Sequence, residues 1–339
     1  MKINIGNKIL SPVLMAAGVI LLVASLAMDF AGTGSNSATG TMLVLGIVAF
    51  LIGLYLFPTL KHHRAIVYVI FLFPLLFTFL VTVIIPLVLG IGYSFTDWTG
   101  IKMTKVVGLA NYQTMFKDPS FVWSILITFI FVAVNMIMIN VVGFALALLC
   151  TSKMRGTSFF RAAYFLPNLI GGIVLSYIWL MIFNSILAKH SMTIVSTQWT
   201  AFWGLVAVVC WQQIGYMMII YIAGIQNIPA DLIEAAKIDG ANNHQLLRYV
   251  TIPMLMPTIT ICTFLTLTNG FKLFDQNLAL TGGKPGKLSE LLALNIYDTM
   301  YGTTGWQGVG QAKAVIFFIL VAIIALIQNK LTTSKEVEQ

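Results

Sequence analysis

The chain has 339 residues, of which 59% are hydrophobic and only 9% are charged. Because an average soluble domain is about one quarter charged, this composition excludes an ordinary water-soluble globular protein. The formal net charge is +8, but the lysine and arginine residues are scattered through short polar segments rather than gathered into one stripe. We therefore expect membrane lipid around this chain, and no nucleic acid as a partner.

Apolar runs long enough to cross a bilayer, about 20 residues each, recur along the chain. They predict an all-α membrane protein with about eight transmembrane helices. The expected spans are 11–29, 41–60, 66–93, 122–151, 160–184, 200–226, 254–277 and 313–331. Pro74 and Pro86 lie in the third span, where we expect kinks, since membrane helices tolerate proline when neighbours satisfy the freed carbonyl groups.

Positive charge near the spans predicts the orientation, because flanking Lys and Arg residues tend to stay in the cytoplasm. Lys2 and Lys8 precede the first span and Lys61 and Arg64 follow the second, whereas the segment between these spans has neither residue type. Both termini of this multi-pass protein of a bacterial-type cell membrane are therefore expected inside. The same topology puts a second basic group inside: Lys153, Arg155 and Arg161. It leaves other lysines outside: Lys102, Lys105, Lys117, Lys189, Lys284, Lys287 and Lys313.

The first span has two interpretations, an uncleaved anchor or a secretory signal peptide with Lys2 and Lys8 as its positive leader. Its apolar core is longer than the roughly 7 to 15 residues of such signals, which favours the anchor. An intact mass lacking the first 25 or so residues would instead show cleavage.

The pattern predicts neither a catalytic nor a metal site. Cys150, Cys210 and Cys262 all lie in apolar runs without a CxxC spacing, so a disulfide framework and a zinc site are both disfavoured. The sequence also lacks a His-Glu-x-x-His set and a Gly-rich phosphate loop followed by Lys and Ser or Thr. We therefore expect a chain that is not an enzyme and that binds no cofactor of its own.

The polar segment 227–252 lies between the sixth and seventh spans. Pro229 suits the first turn of a helix, while Asp231 and Glu234 place negative charge near the positive end of its dipole. Gly240 can adopt a positive φ angle and end this helix. The segment therefore predicts helix, glycine turn and helix.

A second short helix is indicated by Asn242 and Gln245, whose spacing is that of a capping pair. Ala235 and Ala236 leave part of the first helix open to close approach by another protein. Apolar contacts around this bare stretch are available from Leu232, Ile233 and Leu246. From the residues alone, a docking element and an ordinary surface connection both remain possible.

The order Glu234-Ala235-Ala236, Gly240 and Ile252-Pro253 is similar to the EAA motif of type I ABC importer permeases. In that family the loop docks in a cleft of a cytoplasmic ATPase, and the position of Ile252 is usually leucine. The resemblance implies an ATPase-coupling role for a set of residues: Glu234, Ala235, Ala236, Asp239, Gly240, Leu246 and Pro253. For Glu234, the alternative is a solvated partner of the helix dipole.

Further segments resemble the carbohydrate importers of this family: Tyr93-Ser94-Phe95-Thr96-Asp97-Trp98, Gly108-Leu-Ala-Asn111-Tyr112, Phe159-Phe160-Arg161, Phe165-Leu166-Pro167-Asn168 and Thr281-Gly282-Gly283-Lys284-Pro285. Two extra helices in 1–64 before a permease domain in 65–335, with a tail at 336–339, resemble the larger membrane subunit of maltose-type importers. The large extra external domain of that subunit has no counterpart here. The resemblance implies sugar import with a second permease, two ATPase subunits that bind ATP and Mg, and an external sugar-binding protein.

A sugar path needs hydroxyl-pairing groups inside the bundle. Trp211, Gln212 and Tyr216 occur together in the sixth span, and the last two lie one helical turn apart. In maltose-type subunits the position of Tyr216 corresponds to a sugar-contacting tyrosine. The seventh span offers three more polar candidates: Asn269, Lys272 and Asp275. Polar residues in a span usually face an interior or a cavity, although Lys272 and Asp275 could simply pair and the aromatic rings could simply pack. Asn168 and Asn184 are weaker candidates.

A secondary transporter and an intramembrane enzyme are the two alternative classes of function. A secondary transporter would show intramembrane carboxylates and broken helices in two repeated halves, but only Asp275 is expected inside a span and no repeat is evident. An intramembrane enzyme would need a nucleophile with its base, paired carboxylates or a metal set. Loss of uptake on removing an ATPase would separate an importer from a secondary carrier.

Overall fold

The computed structural model describes residues 5–30, 36–56, 64–103, 105–152 and 156–333. Throughout these ranges the secondary structure is helical, apart from turns, loops and one isolated β-bridge between Thr96 and Val106. The all-α class expected from the composition is confirmed. Some residues used to predict the topology lie outside the described ranges: Lys2, Lys61, Lys153, Arg155 and the tail 336–339.

The chain forms two compact units, Met1–Pro86 and Leu87–Gln339. The division between them falls inside a helix, and the domain boundary that the sequence suggests at residue 64 stays a prediction. The described elements up to and including this helix are α1 (Ile5–Phe30), α2 (Asn36–Tyr55), α3 (Arg64–Phe79), the π-helical turn Leu80–Ile84 and α4 (Ile85–Ser94).

Small residues bring α1 and α2 into close contact. A Cβ atom on Gly18 would lie 2.8 Å from the carbonyl oxygen of Gly46, and one on Gly53 would lie 2.8 Å from the backbone nitrogen of Met15. Ser11 Oγ donates a hydrogen bond to the carbonyl oxygen of Gly53 at 2.7 Å. Because apolar side chains gain little by leaving lipid, close backbone approach of this kind is a usual basis of helix association in membranes.

The third predicted span is irregular beside Pro86. Proline has no N–H group, so the carbonyl of Thr82 cannot receive the usual helical hydrogen bond from residue 86. The backbone forms a π-helical turn instead, in which the N–H of Ile85 donates to the carbonyl of Leu80. By contrast, α3 continues past Pro74.

The second unit combines long helices with short connecting ones. Its core lies where α6, α9 and α13 pack together, and α16 covers part of α13. The helices are α5 (Ala110–Lys117), α6 (Pro119–Thr151), α7 (Thr157–Phe165), α8 (Gly172–Leu187), α9 (Gln198–Gln226), α10 (Ala230–Ile238), α11 (Asn243–Leu246), α12 (Ile252–Met254), α13 (Met256–Phe271), α14 (Asp275–Leu280), α15 (Leu292–Tyr297) and α16 (Gln307–Thr333).

Polar side chains between α6, α9 and α13 satisfy one another. Asn140 donates to Thr266 Oγ1 at 2.9 Å and accepts from the hydroxyl of Tyr221 at 2.8 Å. Around them the packing is apolar and close, as in the edge-to-face contact of Phe131 with Phe202 at 6.1 Å. Three helices are thus joined by two hydrogen bonds inside the bundle.

Six described helices are long and apolar enough to cross a bilayer: Leu10–Asp29, Phe71–Ser94, Pro119–Thr151, Gly172–His190, Gln198–Gln226 and Gln307–Leu331. The pair Asn243–Met254 and Met256–Phe271, bent by 69°, gives a seventh if it forms one span. The second predicted span corresponds to a shorter apolar helix, Ala38–Gly53. The expected eight spans are reached only when the bent pair and this shorter helix are both included.

Three predicted spans have different ends in the structure. The fifth begins as a long helix at Gly172 rather than at residue 160, because a 3-10 turn at Leu166–Leu169 and an extended Ile170 come first. The seventh helix ends at Phe271 rather than residue 277, and the eighth begins at Gln307 rather than residue 313. At the fifth span the largely apolar run continues across residues 166–170, so composition does not mark where the helix begins.

Lys313 lies inside α16 and is 1% exposed, so its expected place in an outer loop is wrong. Its Nζ donates to Asp118 Oδ2 at 2.8 Å, to Asn295 Oδ1 at 2.9 Å and to Thr299 Oγ1 at 2.8 Å. An ammonium group has three donors, and each has an acceptor here. Nζ also lies 5.1 Å from the ring centroid of Phe121. The charge is therefore fully paired despite its burial.

Asp118 is the N-cap of α6 and accepts from the backbone N–H of Ser120 at 3.0 Å. Burial raises the pKa of this carboxyl, but hydrogen bonds from Lys313 and Ser120 outweigh burial and bring the pKa below its usual value. The ionised carboxylate thus joins the start of α6 to α16.

We predict that Asp118→Asn destabilises the protein by roughly 3 kcal/mol at neutral pH, because it removes the partner of a buried ammonium while asparagine preserves the helix cap. A lowered pKa in the folded state stabilises the fold above the ordinary aspartate pKa of about 4, and this stabilisation is lost as the pH falls through the lowered value. Thermal unfolding in detergent between about pH 7 and pH 3 should show the two proteins converging on acidification. A constant difference across that range would contradict the ion pair.

Candidate functional site

The 227–252 segment folds as predicted, into two short helices separated by a glycine turn. The first, α10, follows Pro229, which is its N-cap residue. Gly240 has φ of +80°. Its N–H bonds the carbonyl of Lys237 at 3.1 Å, and the N–H of Ala241 bonds the carbonyl of Ala236 at 3.0 Å. This pair of bonds is a Schellman motif, which ends a helix by satisfying its last carbonyl groups.

The second helix, α11, has the predicted capping box. Asn242 Oδ1 accepts from the N–H of Gln245 at 2.9 Å, and Gln245 Oε1 accepts from the N–H of Asn242 at 2.9 Å. A π-helical turn at Leu247–Thr251 then leads into α12, whose first turn contains Pro253. Leu246 is half-buried at the end of α11. The segment therefore joins directly to the bent helix pair that precedes the bundle core.

The predicted coupling residues of α10 and its turn face outward. Glu234, Ala235 and Asp239 are exposed, and Ala236 is half-buried. Asp231 occupies the first turn of α10, whereas Glu234 lies one turn further along, so Glu234 is not beside the helix N-terminus. A carboxylate in mid-helix with no partner in the described chain is free to meet another protein.

Two exposed apolar side chains of this segment were not singled out from the sequence. Ile238 is 85% exposed and Tyr249 is 69% exposed, on either side of the glycine turn. Leu232, 43% exposed, adds to the same segment. Large apolar side chains clustered on a polar connection indicate a contact surface. The spacing of apolar residues could not reveal them, because an apolar side chain in the core and one on a docking surface look the same in a sequence.

A polar cavity of about 280 Å³ lies where α9 and α13 meet the start of α14. It brings together all three polar candidates of the seventh span, Asn269, Lys272 and Asp275. Its other lining residues are Gln213, Leu273, Phe274 and Gln276. Gln213 and Gln276 were missed in the sequence, where glutamine next to apolar residues gives no distinctive signal.

The seventh-span candidates are not all within a transmembrane helix. Asn269 lies in α13, but Lys272 is its C-cap residue and Asp275 begins α14. Both charged side chains are exposed, and no ion pair joins them within 4.0 Å in the described chain. The simple pairing that the sequence allows is therefore absent here, and both charges remain open to the cavity.

The sixth-span candidates occupy different surroundings. Trp211 contacts Trp179 edge to face at 5.3 Å and is 44% exposed. Gln212 is buried and donates to the carbonyl of Ile170 at 3.0 Å. Tyr216 is half-buried against the apolar core, and its hydroxyl has no hydrogen bond to another described residue. None of these three lines the 280 Å³ cavity.

The weaker candidates also differ in their surroundings. Asn184 Oδ1 accepts from the backbone N–H of Ile194 at 2.9 Å, so it holds the connection between α8 and α9. Asn168 lies half-buried in the 3-10 turn Leu166–Leu169. Neither observation places them on a path through the bundle.

The resemblance segments near the start of the second unit contact one another. Asn111 Nδ2 donates to the carbonyl oxygens of Ser94 and Thr96, both at 2.8 Å. Ser94 Oγ lies 2.7 Å from the hydroxyl of Tyr112, and the ring of Tyr112 lies 5.4 Å from that of Phe95. The segments 93–98 and 108–112 therefore form one local structure, held by hydrogen bonds and a ring contact.

Comparison with known proteins gives the family. The family model for the binding-protein-dependent transport system inner membrane component matches residues 119–334 of this chain. A probable starch degradation products transport system permease protein of Thermoanaerobacterium thermosulfurigenes is 48% identical over 279 residues, covering 80% of this chain and 95% of the relative. A multiple sugar-binding transport system permease protein of Streptococcus mutans is 32% identical over 262 residues, covering 74% and 90%.

Among solved structures, the chain is similar to that of a bacterial ABC transporter involved in the import of the acidic polysaccharide alginate. The TM-score is 0.69 with 18% identity, covering 80% of this chain and 96% of the other. At this identity the likeness concerns the fold.

The membrane-spanning helices, the family match and the relatives together define a multi-pass membrane permease. The chain belongs to the family of binding-protein-dependent transport system inner membrane components, the permeases of type I ABC importers. It is a transport subunit rather than an enzyme, and ATP hydrolysis resides in partner subunits. The family that the EAA-like residues resemble is confirmed, and the coupling role of those residues stays a prediction.

We predict that Gly240→Val weakens retention of the ATPase partner during purification, whereas Gly240→Asn retains it. No atom lies within 4 Å of the position of an added Cβ, so the positive φ angle is the obstacle. A left-handed conformation costs roughly 1–2 kcal/mol for most residues, while asparagine tolerates it. Such a cost reduces the population of the turn about 5- to 30-fold. Equal ATPase retention by both variants would contradict a role for this turn.

Proposed function

We propose that this chain is one of two related permease subunits in an ATP-driven importer of a sugar or oligosaccharide. The relatives from Thermoanaerobacterium thermosulfurigenes and Streptococcus mutans are described as permeases for starch degradation products and for multiple sugars. The observation that carries the proposal is the 48% identity to the first of these over 95% of its length. Two ATPase subunits, holding ATP and Mg, and an external sugar-binding protein complete the assembly.

The 227–252 segment is the proposed contact with the ATPase. Its geometry supports this role, because the Schellman turn and the capping box give it a fixed shape while Ile238, Tyr249 and Glu234 remain exposed. ATP binding closes the ATPase pair and moves this segment. The movement passes into the bundle through α12 and the 69° bend before α13.

The proposed sugar path runs beside the 280 Å³ cavity. Amide groups of Asn269 and Gln213 can each donate and accept hydrogen bonds, as sugar hydroxyl groups require. Lys272 and Asp275 add charged partners, which form stronger hydrogen bonds than neutral groups do. The hydroxyl of Tyr216 makes no hydrogen bond to another described residue, so it is available to bond a sugar.

The proposed orientation places both termini and the 227–252 segment in the cytoplasm. α6 and α9 run side by side in the same direction, with Asn135 near Cys210 and Asn140 near Tyr221. The end of α6 at Thr151 and the start of the 227–252 segment therefore share one end of the second unit. The predicted basic group that includes Arg161 follows α6 at that end, as expected for a cytoplasmic face.

Co-purification from mild detergent after expression with the neighbouring genes tests the assembly. We expect a second permease and an ATPase to remain bound, and the reconstituted complex to take up maltotriose or another oligosaccharide in an ATP-dependent way. Recovery of a stable homo-oligomer without an ATPase would overturn the proposal and favour a secondary transporter. ATP-dependent uptake of a non-sugar solute would retain the importer and overturn the sugar.

We predict that Tyr216→Ala slows sugar uptake by the assembled complex roughly tenfold, a loss of about 1.4 kcal/mol. Both the ring face and the hydroxyl are removed, whereas Tyr216→Phe keeps the ring and should lose only the hydrogen bond, worth about 0.5–1.5 kcal/mol. Uptake is measured at equal amounts of complex in vesicles. Normal uptake by Tyr216→Ala would remove this residue from the path.

A further inference from the structure

The backbone is broken between α7 and α8 in a part of the chain that apolar composition assigns to the membrane. Ile170 and Gly171 are extended, with ψ angles of 130° and 139°. A carbonyl group outside a helix costs several kcal/mol in hydrocarbon unless another group bonds it. The carbonyl of Ile170 is satisfied by Gln212 Nε2 of α9 at 3.0 Å. A buried side-chain amide therefore supports the break.

The same amide receives a second hydrogen bond from the wall of the polar cavity. Gln276 Nε2 donates to Gln212 Oε1 at 2.7 Å. Gln276 itself lines the cavity together with Lys272 and Asp275. The three groups form a directed chain, Gln276 to Gln212 to the carbonyl of Ile170, which we call the amide relay. It joins α14, α9 and the start of α8.

Close backbone packing holds the relay in register on both sides. A Cβ atom on Gly172 would lie 2.9 Å from Gln276 Nε2 and 3.0 Å from Asp275 Cβ, so α14 approaches α8 where a larger residue would interfere. One turn along α9, a Cβ atom on Gly215 would overlap the carbonyl oxygen of Tyr164. Thus α8 meets α14 at Gly172, and α9 meets α7 at Gly215.

On the N-terminal side of the break, the chain runs to the end of the bundle where the 227–252 segment begins. The 3-10 turn Leu166–Leu169 connects Ile170 to α7. Arg161 of α7 donates from Nη2 to the carbonyl of Cys150 at 2.8 Å, at the end of α6. A change in the relay at the cavity can therefore shift the attachment of α7.

We propose that Gln276 is a positioning residue that couples sugar in the cavity to the position of α7 through Gln212 and Ile170. This inference rests on the proposed function. With the cavity empty, Gln276 holds Gln212 and the break stays fixed. A sugar hydroxyl is both a donor and an acceptor, so it competes for Gln276, frees Gln212 Oε1 and loosens the break.

The direction of the relay gives a sharp pair of variants. Gln276→Leu removes the donor to Gln212 and keeps a similar volume. Gln276→Glu keeps the shape but has no N–H to donate when ionised, so it breaks the same bond without making the position apolar. Gln113→Glu is the matched control, since this exposed glutamine of α5 has no side-chain hydrogen bond in the described chain and does not line the cavity.

The test uses the complete complex with its ATPase and binding-protein partners in vesicles, with maltotriose as the probe. We measure ATP hydrolysis with and without maltotriose and its binding protein, and the KM and maximal rate of uptake. Both Gln276 variants should raise hydrolysis without sugar, so that the stimulation ratio falls roughly fivefold, the lower end of typical coupling between sites. Gln113→Glu should keep the parent ratio.

The remaining outcomes overturn the relay. A raised uptake KM with an unchanged stimulation ratio would make Gln276 a sugar contact only. If Gln276→Leu and Gln276→Glu both lose hydrolysis and uptake equally, and both yield less folded complex, Gln276 has a purely structural role. Failure of the parent complex to respond to any oligosaccharide would instead count against the proposed function, so the two failures are distinguishable.

Discussion

Hydrocarbon offers no hydrogen-bond partner, and most of this structure follows from that constraint. Inside the bundle, Asn140 joins Thr266 and Tyr221, so that one side chain on α6 serves α13 and α9 at once. Lys313 reaches three acceptors in the same way at the start of α6. Because a polar group placed in the membrane must find its partner within the protein, each of these residues fixes a helix contact and its register.

The same constraint explains why irregular backbone occurs where it does. At Pro86 the unusable helical bond is replaced by a π-helical turn, and at Ile170 the freed carbonyl is bonded by Gln212. A break in a helix is thus tolerated where a backbone adjustment or a neighbouring side chain satisfies the freed groups.

The sequence predicts the parts of the fold that depend on nearby residues. Apolar runs place the helices, Asn242 and Gln245 predict their capping box, and Gly240 predicts its turn, because each of these is decided within a few positions. Lys313 could not be placed in this way, since its partner Asp118 is 195 residues distant. Gln213 and Gln276 were missed because glutamine next to apolar residues gives no distinctive signal. Lys272 and Asp275 were assigned to a helix that ends before them. Chain separation and residues without a distinctive pattern both limit what a single sequence reveals.

The glycine turn of the 227–252 segment has a thermodynamic consequence. The bonds that shape it, from Gly240 to Lys237, Ala241 to Ala236 and between Asn242 and Gln245, are all local. The segment therefore has its final form before any partner arrives, and association does not have to order a flexible loop. Preorganised surfaces keep more of their contact energy as affinity. If this segment meets the ATPase as we propose, its rigidity lets displacement pass in both directions between the membrane bundle and that partner.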